Sequence, residues 1–320
     1  MESPQNIKKR LKSVNNINKI TKAMEMVAAT KMRKSQEIAL ASRPYAFAAL
    51  DFLATLSAIH SETLPKLFEK RNVKKVLFVL VSSDKGLAGA FNSSVFRKFE
   101  QHMREYPYSA KGVGTENEEK LFLAVGEKSY NYLLRKGFNV LQKFTSVGDF
   151  TTIEQVRPIT EYIGKGFIDG KWDRVIVVST HFRSALKQEP HVRRVLPIDF
   201  EHIRETVQEI IPERGKFADA IKTCQINFIP DKSKLREYKI EPSSEEVLTR
   251  LAKHLFFVQF YHLVLEANAS EHSARRMAMK TASDNASELG EGLNLQYNKS
   301  RQALITTEIS EISAGVEALS

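Results

Sequence analysis

The chain has 320 residues, of which 42% are apolar and 27% charged, with a formal net charge of +10. This balance is typical of a folded protein and excludes global disorder. The single cysteine, Cys224, excludes an internal disulfide, a dithiol switch and a metal site built from several cysteines. The longest unbroken apolar run, 76–81, is far too short to cross a bilayer, so we predict no transmembrane helix.

Two long segments at the ends of the chain lack the residues that terminate helices. Residues 5–60 contain no glycine and one proline, and residues 243–289 contain neither. Apolar residues recur there in steps of three and four, which predicts two long helices packed as an antiparallel coiled coil. The predicted seam comprises Ile7, Leu11, Val14, Ile17, Ile20, Met24, Val27, Met32 and Ile38 on the first helix, and Leu248, Leu251, Leu255, Val258, Leu265, Ala269, Met279, Ala282, Ala286, Leu289 and Leu293 on the second.

Between these helices, strand and helix patterns alternate. Strands are predicted at 74–81, 120–125, 139–144 and 175–180, with helices at 93–106, 128–136 and 153–168, a hairpin partner at 192–196 and a further short strand at 225–229. This alternation is typical of a small parallel α/β sheet covered by helices. We therefore expect an α/β fold class, with a central Rossmann-like domain over 72–235 and coiled-coil helices over 1–60 and 243–320.

Simple geometry predicts what the end of the second helix does. If both helices leave the same domain in antiparallel directions, residue 58 lies beside 243, and paired residue numbers add to about 301. Met24 then lies level with Met277, and residues after Arg301 have no partner in their own chain. The unpaired tip carries an apolar stripe formed by Leu304, Ile305, Ile309, Ile312 and Val316. An exposed stripe of this kind predicts docking on another protein.

No catalytic, cofactor-binding or metal-binding residues are predicted. The segment 164–172 has the wrong glycine spacing for a phosphate-binding loop and has Trp172 where a hydroxyl residue is needed. His254, His262 and His272 are eight and ten residues apart, whereas a metal pair on a helix needs three or four, so we interpret them as packing or interhelical hydrogen-bonding residues.

The segment 82–92 follows a predicted strand and precedes a helix, so one interpretation is anion binding at a helix N-terminus. We favour the other, a tight β–α turn with Asn92 or Ser93 as the N-cap, because no acidic residue is placed to hold ribose or magnesium.

Charge is distributed unevenly, because residues 1–50 contain ten basic and three acidic side chains whereas residues 243–320 contain seven basic and ten acidic ones. The two ends either complement each other or face different external surfaces. Three interpretations of the basic N-terminal helix remain: half of a coiled coil, which we rank first, a mitochondrial presequence, and a nucleic-acid-binding helix. The last would need aromatic or amide readers, and residues 1–44 contain no aromatic side chain.

Four segments in order along the chain resemble the gamma-subunit family of F-type ATP synthases. They are 20–32 with 43–45, 82–92, 270–279 with 281–286, and 297–309. The resemblance implies a non-catalytic central-stalk rotor subunit that transmits torque between the membrane c ring and a catalytic ring of three alpha and three beta subunits. Its helical hairpin would turn inside that ring and couple proton flow to ATP synthesis. The alternative is a basic coiled-coil nucleic-acid or scaffold protein.

The resemblance also implies partners and contact residues. Met24, Arg275, Gln302 and Thr306 match family positions that face the alpha/beta ring, and the stripe defined above would be the bearing at the tip. The epsilon subunit and the c ring would contact the base, with no nucleic acid, no cofactor and no direct small-molecule substrate. We expect a peripheral membrane protein on the cytoplasmic side of a bacterial inner membrane, or else on the matrix side of the mitochondrial inner membrane. With one cysteine, we expect no thiol regulation through this subunit.

Overall fold

The computed structural model describes residues 3–59, 65–105, 118–148, 151–184, 186–199, 241 and 243–317. They fall into two compact units, one made of the residues up to Ala29 together with those from Arg275 onwards, the other of residues Thr30–Ala274. Two long helices belong to both units: α1, Pro4–Ile59, has 56 residues, and the last helix, α5, Ser244–Glu317, has 74. Among the described helices, none has an apolar stretch long enough to span a membrane.

Between the long helices lies a five-stranded sheet. Its strands are β1 (Lys75–Val81), β2 (Glu119–Val125), β3 (Val140–Phe144), β4 (Arg174–Phe182) and β5 (Gln188–Leu196). They are ordered β3-β2-β1-β4-β5, and only β5 is antiparallel to its neighbour. The connecting helices are α2 (Phe91–Glu105), α3 (Glu127–Arg135) and α4 (Ile153–Ile168). The predicted strands, helices and hairpin partner are confirmed, with boundaries shifted by a few residues.

The sheet has a separate apolar core on each face. On one face, β1 and β4 side chains such as Val79 and Val177 pack with α4 and with the 252–267 segment of α5. On the other face, Phe78 and Phe122 pack with α2 and α3 through rings including Phe99. Because both faces are covered, β1 and β4 are near-continuous apolar runs, as parallel strands require.

Two glycines of α4 let this helix pack closely against its surroundings. The indole nitrogen of Trp172 donates a hydrogen bond of 3.0 Å to the carbonyl of Ile163, and its ring occupies the space where a Cβ on Gly166 would lie. Gly164 faces the ring of Phe256 on α5. The segment 164–172 is therefore a helix end closed by a tryptophan, which agrees with its rejection as a phosphate-binding loop.

The turn after β1 is held together by its own side chains. Asn92 donates a hydrogen bond of 2.7 Å to the hydroxyl of Ser83, and its amide oxygen accepts one of 3.1 Å from the backbone N–H of Ser83. The prediction of Asn92 or Ser93 as N-cap is wrong, because α2 already begins at Phe91. Asn92 closes the turn instead of capping the helix.

The coiled-coil seam agrees with the prediction at Ile7, Leu11, Val14 and Met32 on α1 and at Met279, Ala286 and Leu293 on α5, but it is shifted by one position over residues 17–28. On α1 the buried or half-buried stripe comprises Ile7, Leu11, Val14, Asn18, Thr21, Glu25, Ala28, Met32 and Ser35. On α5, the buried seam positions after residue 275 are Met279, Ser283, Ala286, Gly290 and Leu293. The predicted seam residues Ile17, Ile20, Val27 and Leu289 are exposed. Small and polar side chains allow two helices to approach closely, so between residues 17 and 28 they occupy the seam and the larger apolar side chains face outwards.

The antiparallel pairing itself is confirmed. The hydroxyl of Ser283 donates to the side-chain oxygen of Asn18 at 2.7 Å, and the numbers of these two residues add to 301, as predicted. Asn18 also donates to Ser287 at 3.4 Å. A Cβ on Gly290 would lie 3.8 Å from Cγ1 of Val14. Later residues of α5 therefore pair with earlier residues of α1, as in an antiparallel pair.

Two expectations remain outside these findings. The strand predicted at 225–229 lies outside the described residues. The division into three domains at 1–60, 72–235 and 243–320 stays a prediction.

Candidate functional site

The outward face of α1 carries a second apolar stripe. Ile17, Ile20 and Val27 are 50%, 60% and 54% exposed, and Met24 is half-buried. At 3.6 residues per turn, positions 17, 20, 24 and 27 lie on one side of the helix, next to the seam. Residues of this size are rarely left exposed side by side on a soluble surface, so the stripe is a candidate partner-binding surface.

A third apolar stripe occupies the end of α5. Within 301–316, every residue whose exposure is described is exposed, as predicted for a segment without a partner in its own chain. The bearing residues of the tip are 45% to 68% exposed, namely Leu304, Ile305, Ile309, Ile312 and Val316. Four of them follow the steps 305, 309, 312 and 316, so they form one continuous face.

The four predicted ring contacts occupy different environments. Met24 and Arg275 are half-buried within the same compact unit, whereas Gln302 and Thr306 are exposed. The hydroxyl of Thr306 donates to the backbone carbonyl of Gln302 at 2.9 Å. This bond does not involve the amide side chain of Gln302, and Gln302 is exposed. The role of these four residues stays a prediction.

The carboxyl edge of the sheet is where open α/β folds bind ligands, in the crevice beside the strand at which the order reverses. In this sheet the reversal lies between β1 and β4. The carboxylate of Asp84 accepts hydrogen bonds from the backbone N–H groups of Glu127, at 3.0 Å, and Ser146, at 2.9 Å. Glu127 begins α3, so this internal carboxylate caps the N-terminus of α3, next to the ends of β2 and β3. Within the 82–92 turn itself, the hydrogen bonds between Asn92 and Ser83 support the structural interpretation.

Helix α5 supplies further side chains to the same edge. Asn268 donates to the carbonyl of Val147 at 2.9 Å and also bonds to Thr151, and His272 contacts the carbonyl of Gly148 at 3.0 Å. His272 is buried, as a packing residue would be, and this hydrogen bond goes to a loop and not to another helix. Side chains of α5 therefore bind the backbone carbonyls of the loop after β3.

A buried ion pair joins α5 to β4. Nδ1 of His181 lies 2.8 Å from Oε2 of Glu266, and Nη1 of Arg193 lies 4.0 Å from the same oxygen. Burial acts to raise the pKa of Glu266. The hydrogen bond with His181 and the charges of His181, Arg193 and His262 outweigh burial and hold this pKa below its ordinary value.

Sequence reasoning missed the buried polar contacts and the outward stripe of α1. His181, Glu266 and Asn268 are separated by many residues or by uninformative spacing, so no local motif joins them. The stripe could have been found from the sequence by testing the adjacent heptad register, in which Asn18, Thr21 and Ala28 form the seam.

Comparison with known proteins identifies the family of this chain. A family model described as ATP synthase matches residues 3–319. The ATP synthase gamma chain of Roseiflexus castenholzii is 37% identical over 324 aligned residues, covering 100% of this chain and 99% of that one. The chain belongs to the ATP synthase gamma chain family.

Other relatives and solved structures agree with this membership. The gamma chain of Acetobacterium woodii, named as sodium ion specific, is 32% identical over 99% of both chains. A chain of the Euglena gracilis mitochondrial ATP synthase has the same fold, with a TM-score of 0.63 and 18% identity over 99% of this chain and 94% of that one. One from the Tetrahymena thermophila central stalk and c ring gives 0.56, at 22% identity over 82% and 99%. The alternative of a nucleic-acid or scaffold protein is not supported, because gamma chains match the whole chain.

Proposed function

We propose that this chain is the central-stalk rotor subunit of an F-type ATP synthase. It transmits torque between the membrane c ring and the catalytic ring of three alpha and three beta subunits, and so couples proton flow to ATP synthesis. Membership of the gamma family over residues 3–319 carries this proposal. Related structures described as a central stalk with a c ring, and as F1 with a c ring, support the assignment of partners.

The apolar stripes give the proposed contacts a physical basis. The tip bearing of α5 is exposed and has the steps of a continuous helix face, which suits a seat inside an apolar sleeve. The outward stripe of α1 places Met24 among exposed Ile20 and Val27, where a partner would cover all three. We propose that Met24, Arg275, Gln302 and Thr306 contact the alpha/beta ring, and that epsilon and the c ring bind the base.

We further propose that this chain is a non-catalytic subunit. Asp84 and side chains of α5 bond to backbone groups that follow β2 and β3 at the carboxyl edge of the sheet, which supports a structural use of those loops. Nucleotide chemistry would then belong to the alpha and beta subunits.

We propose a peripheral location on the cytoplasmic side of a bacterial inner membrane. The bacterial relatives, such as the gamma chain of Roseiflexus castenholzii at 37% identity, support this assignment over the mitochondrial one.

The decisive experiment is purification of the chain from its native membranes in mild detergent, with the stoichiometry of the proteins that accompany it. We expect one copy for every three alpha and three beta subunits. Recovery of the chain alone, or bound to nucleic acid, would overturn the proposal.

A matched pair of variants tests the tip bearing. The double variant Ile309→Asp with Ile312→Asp adds charge to the apolar stripe, so we expect it to reduce recovery of the alpha and beta subunits. The control Ser310→Asp adds a charge at a neighbouring exposed position on a different face of the same helix, and it should leave recovery unchanged. Equal loss in both variants would count against an apolar bearing.

A further inference from the structure

One segment of α5 buries many polar side chains while it packs on the sheet. His262, Glu266, Asn268, Glu271, His272 and Ser273 are each at most 6% exposed. Burying polar and charged groups is unfavourable unless they are hydrogen-bonded or paired. The partners of these side chains therefore identify the parts of the sheet domain to which this segment of α5 is bound.

The first set of partners belongs to the loop after β3. The side-chain amide of Asn268 donates to the carbonyl of Val147 at 2.9 Å, and Nε2 of His272 lies 3.0 Å from the carbonyl of Gly148. The hydroxyl of Tyr261 donates to the carbonyl of Thr151 at 3.0 Å. Residues 261, 268 and 272 are seven and four positions apart, so all three contacts leave from one side of α5.

The second set of partners belongs to the β4–β5 hairpin. Glu266 pairs with His181 at 2.8 Å, with Arg193 at 4.0 Å from the same carboxylate oxygen. The side chain of Gln188 donates to the hydroxyl of Ser273 at 3.4 Å. Residues 266 and 273 share a side of the helix, roughly 120–140° around the axis from the first set at 100° per residue.

These two sets of polar contacts bind α5 at different positions along the sheet and on different sides of the helix. The loop after β3 and the end of β4 are three strand spacings apart in the order β3-β2-β1-β4, which is roughly 14 Å. The hydrophobic effect itself is non-directional. Hydrogen bonds with fixed geometry on two sides of a helix oppose that rotation directly.

We propose that Asn268 with His272, and Glu266 with His181, are positioning residues that lock the α/β domain at one angle about the C-terminal helix. The lock would carry torque between the sheet domain and α5. This inference rests on the proposed rotor function and names the contacts that would bear the load.

The experiment uses the whole synthase assembled with this chain and incorporated into vesicles, with ATP-driven proton pumping and ATP hydrolysis measured on the same sample. The test variant combines Glu266→Leu with Asn268→Leu, which removes the Asn268 contacts from the first set and the Glu266 contacts from the second set. We expect loss of most of the pumping at an unchanged hydrolysis rate, because α5 would turn without carrying the sheet domain fully with it. Pumping per ATP equal to that of the parent protein would overturn the inference.

A matched control separates torque transmission from simple stability. Leu263→Ala shortens a side chain that is 1% exposed in the same helix and makes no polar contact with the sheet. It should lower thermal stability but leave pumping per ATP unchanged. A loss of coupling in this variant matching that of the double variant would assign the effect to weakened packing and would overturn the inference.

Rescue and single variants cover the case in which the double variant fails to assemble. His181→Gln with Glu266→Gln keeps a hydrogen bond without the charges, so we expect it to retain coupling, whereas Asn268→Leu alone should lose part of it. Normal coupling with Asn268→Leu, or complete uncoupling with the paired glutamines, would contradict the lock. Failure of the parent chain to assemble with alpha, beta and c subunits would instead refute the proposed function.

Discussion

The hydroxyl of Ser283 donates a 2.7 Å hydrogen bond to the side-chain oxygen of Asn18, across 265 residues of sequence. Ser283 is only 6% exposed, so this polar contact lies inside the helix pair. A buried polar residue in a coiled-coil seam specifies which residues meet, because any other register leaves it without a partner.

Replacement of Asn18 by alanine should therefore destabilise the helix pair. We expect Asn18→Ala to lower the free energy of unfolding by about 0.5–1.5 kcal/mol, since the buried hydroxyl loses its acceptor. Thermal unfolding of the full chain followed by circular dichroism would measure this change. The control Asn16→Ala makes the same chemical change at an exposed position, and an equal effect of both variants would contradict a specific role for Asn18.

Two glycines of α4 should respond in opposite ways to alanine. A Cβ on Gly166 would overlap the indole ring of Trp172, so we expect Gly166→Ala to destabilise the chain by about 1–3 kcal/mol through overpacking. A Cβ on Gly164 would lie 3.6 Å from the Phe256 ring, an ordinary contact. Gly164→Ala should therefore be neutral or stabilising by up to about 1 kcal/mol from helix propensity. Chemical denaturation of both variants measures the difference, and the reverse order would show that the packing argument is wrong.

The buried Glu266 pair should make stability depend on pH in acid. Because the folded pKa of Glu266 lies below its ordinary value of 4.5, its stabilising contribution is fully present above that pH. It is lost as the pH falls through the lower folded pKa. We expect the melting temperature of Glu266→Gln to be lower than that of the parent at pH 7, and to fall less steeply below pH 4.5, because glutamine does not titrate.

Glu189 provides the comparison for that experiment. The hydrogen bond from Lys187, helped by the hydrogen bond and charge of Arg183, lowers the pKa of Glu189 to about 2 although desolvation acts to raise it. The Glu189 side chain is 29% exposed whereas that of Glu266 is 8% exposed. Added salt should therefore weaken the acid dependence due to Glu189 while leaving that of Glu266 nearly unchanged. Each contribution is measured as the difference in acid dependence between the parent and Glu189→Gln or Glu266→Gln. If added salt changed both contributions equally, the distinction between an exposed and a buried ion pair would be wrong.

Truncation of the tip should weaken assembly by degrees. The bearing stripe extends over three turns of α5, so successive deletions from the C-terminus remove one apolar contact after another. We expect recovery of the alpha and beta subunits to decline gradually through the series. Complete loss of function on removal of residues 318–320 alone would argue against a distributed bearing.

The order of strands and helices could be predicted from the sequence because the apolar period changes sharply between them. Continuous runs such as 76–81 allow only a buried strand, and α4 begins with a capping box formed by Thr152 and Gln155. Antiparallel pairing of the long helices also followed from geometry, and Asn18 meets Ser283 at the predicted sum of residue numbers.

The seam could not be predicted in the same way, because periodicity favours the largest apolar residues. Ile17 and Ile20 satisfy the spacing as well as Asn18 and Thr21 do, yet the structure buries the smaller polar pair. Hydrogen bonding and close approach decide between these registers, and both depend on the partner helix. The pairing of His181 with Glu266 was inaccessible for a similar reason, since the fold alone brings them together across 85 residues.

The continuity of α5 restricts how the chain can change in length. This one helix carries both the polar residues buried against the sheet, up to Ser273, and the apolar stripe that begins near Leu304. Inserting or deleting one residue between them would turn the stripe by about 100° and shift it by about 1.5 Å relative to the residues bound to the sheet. The number of residues between Ser273 and Leu304 therefore sets which face of α5 carries the stripe.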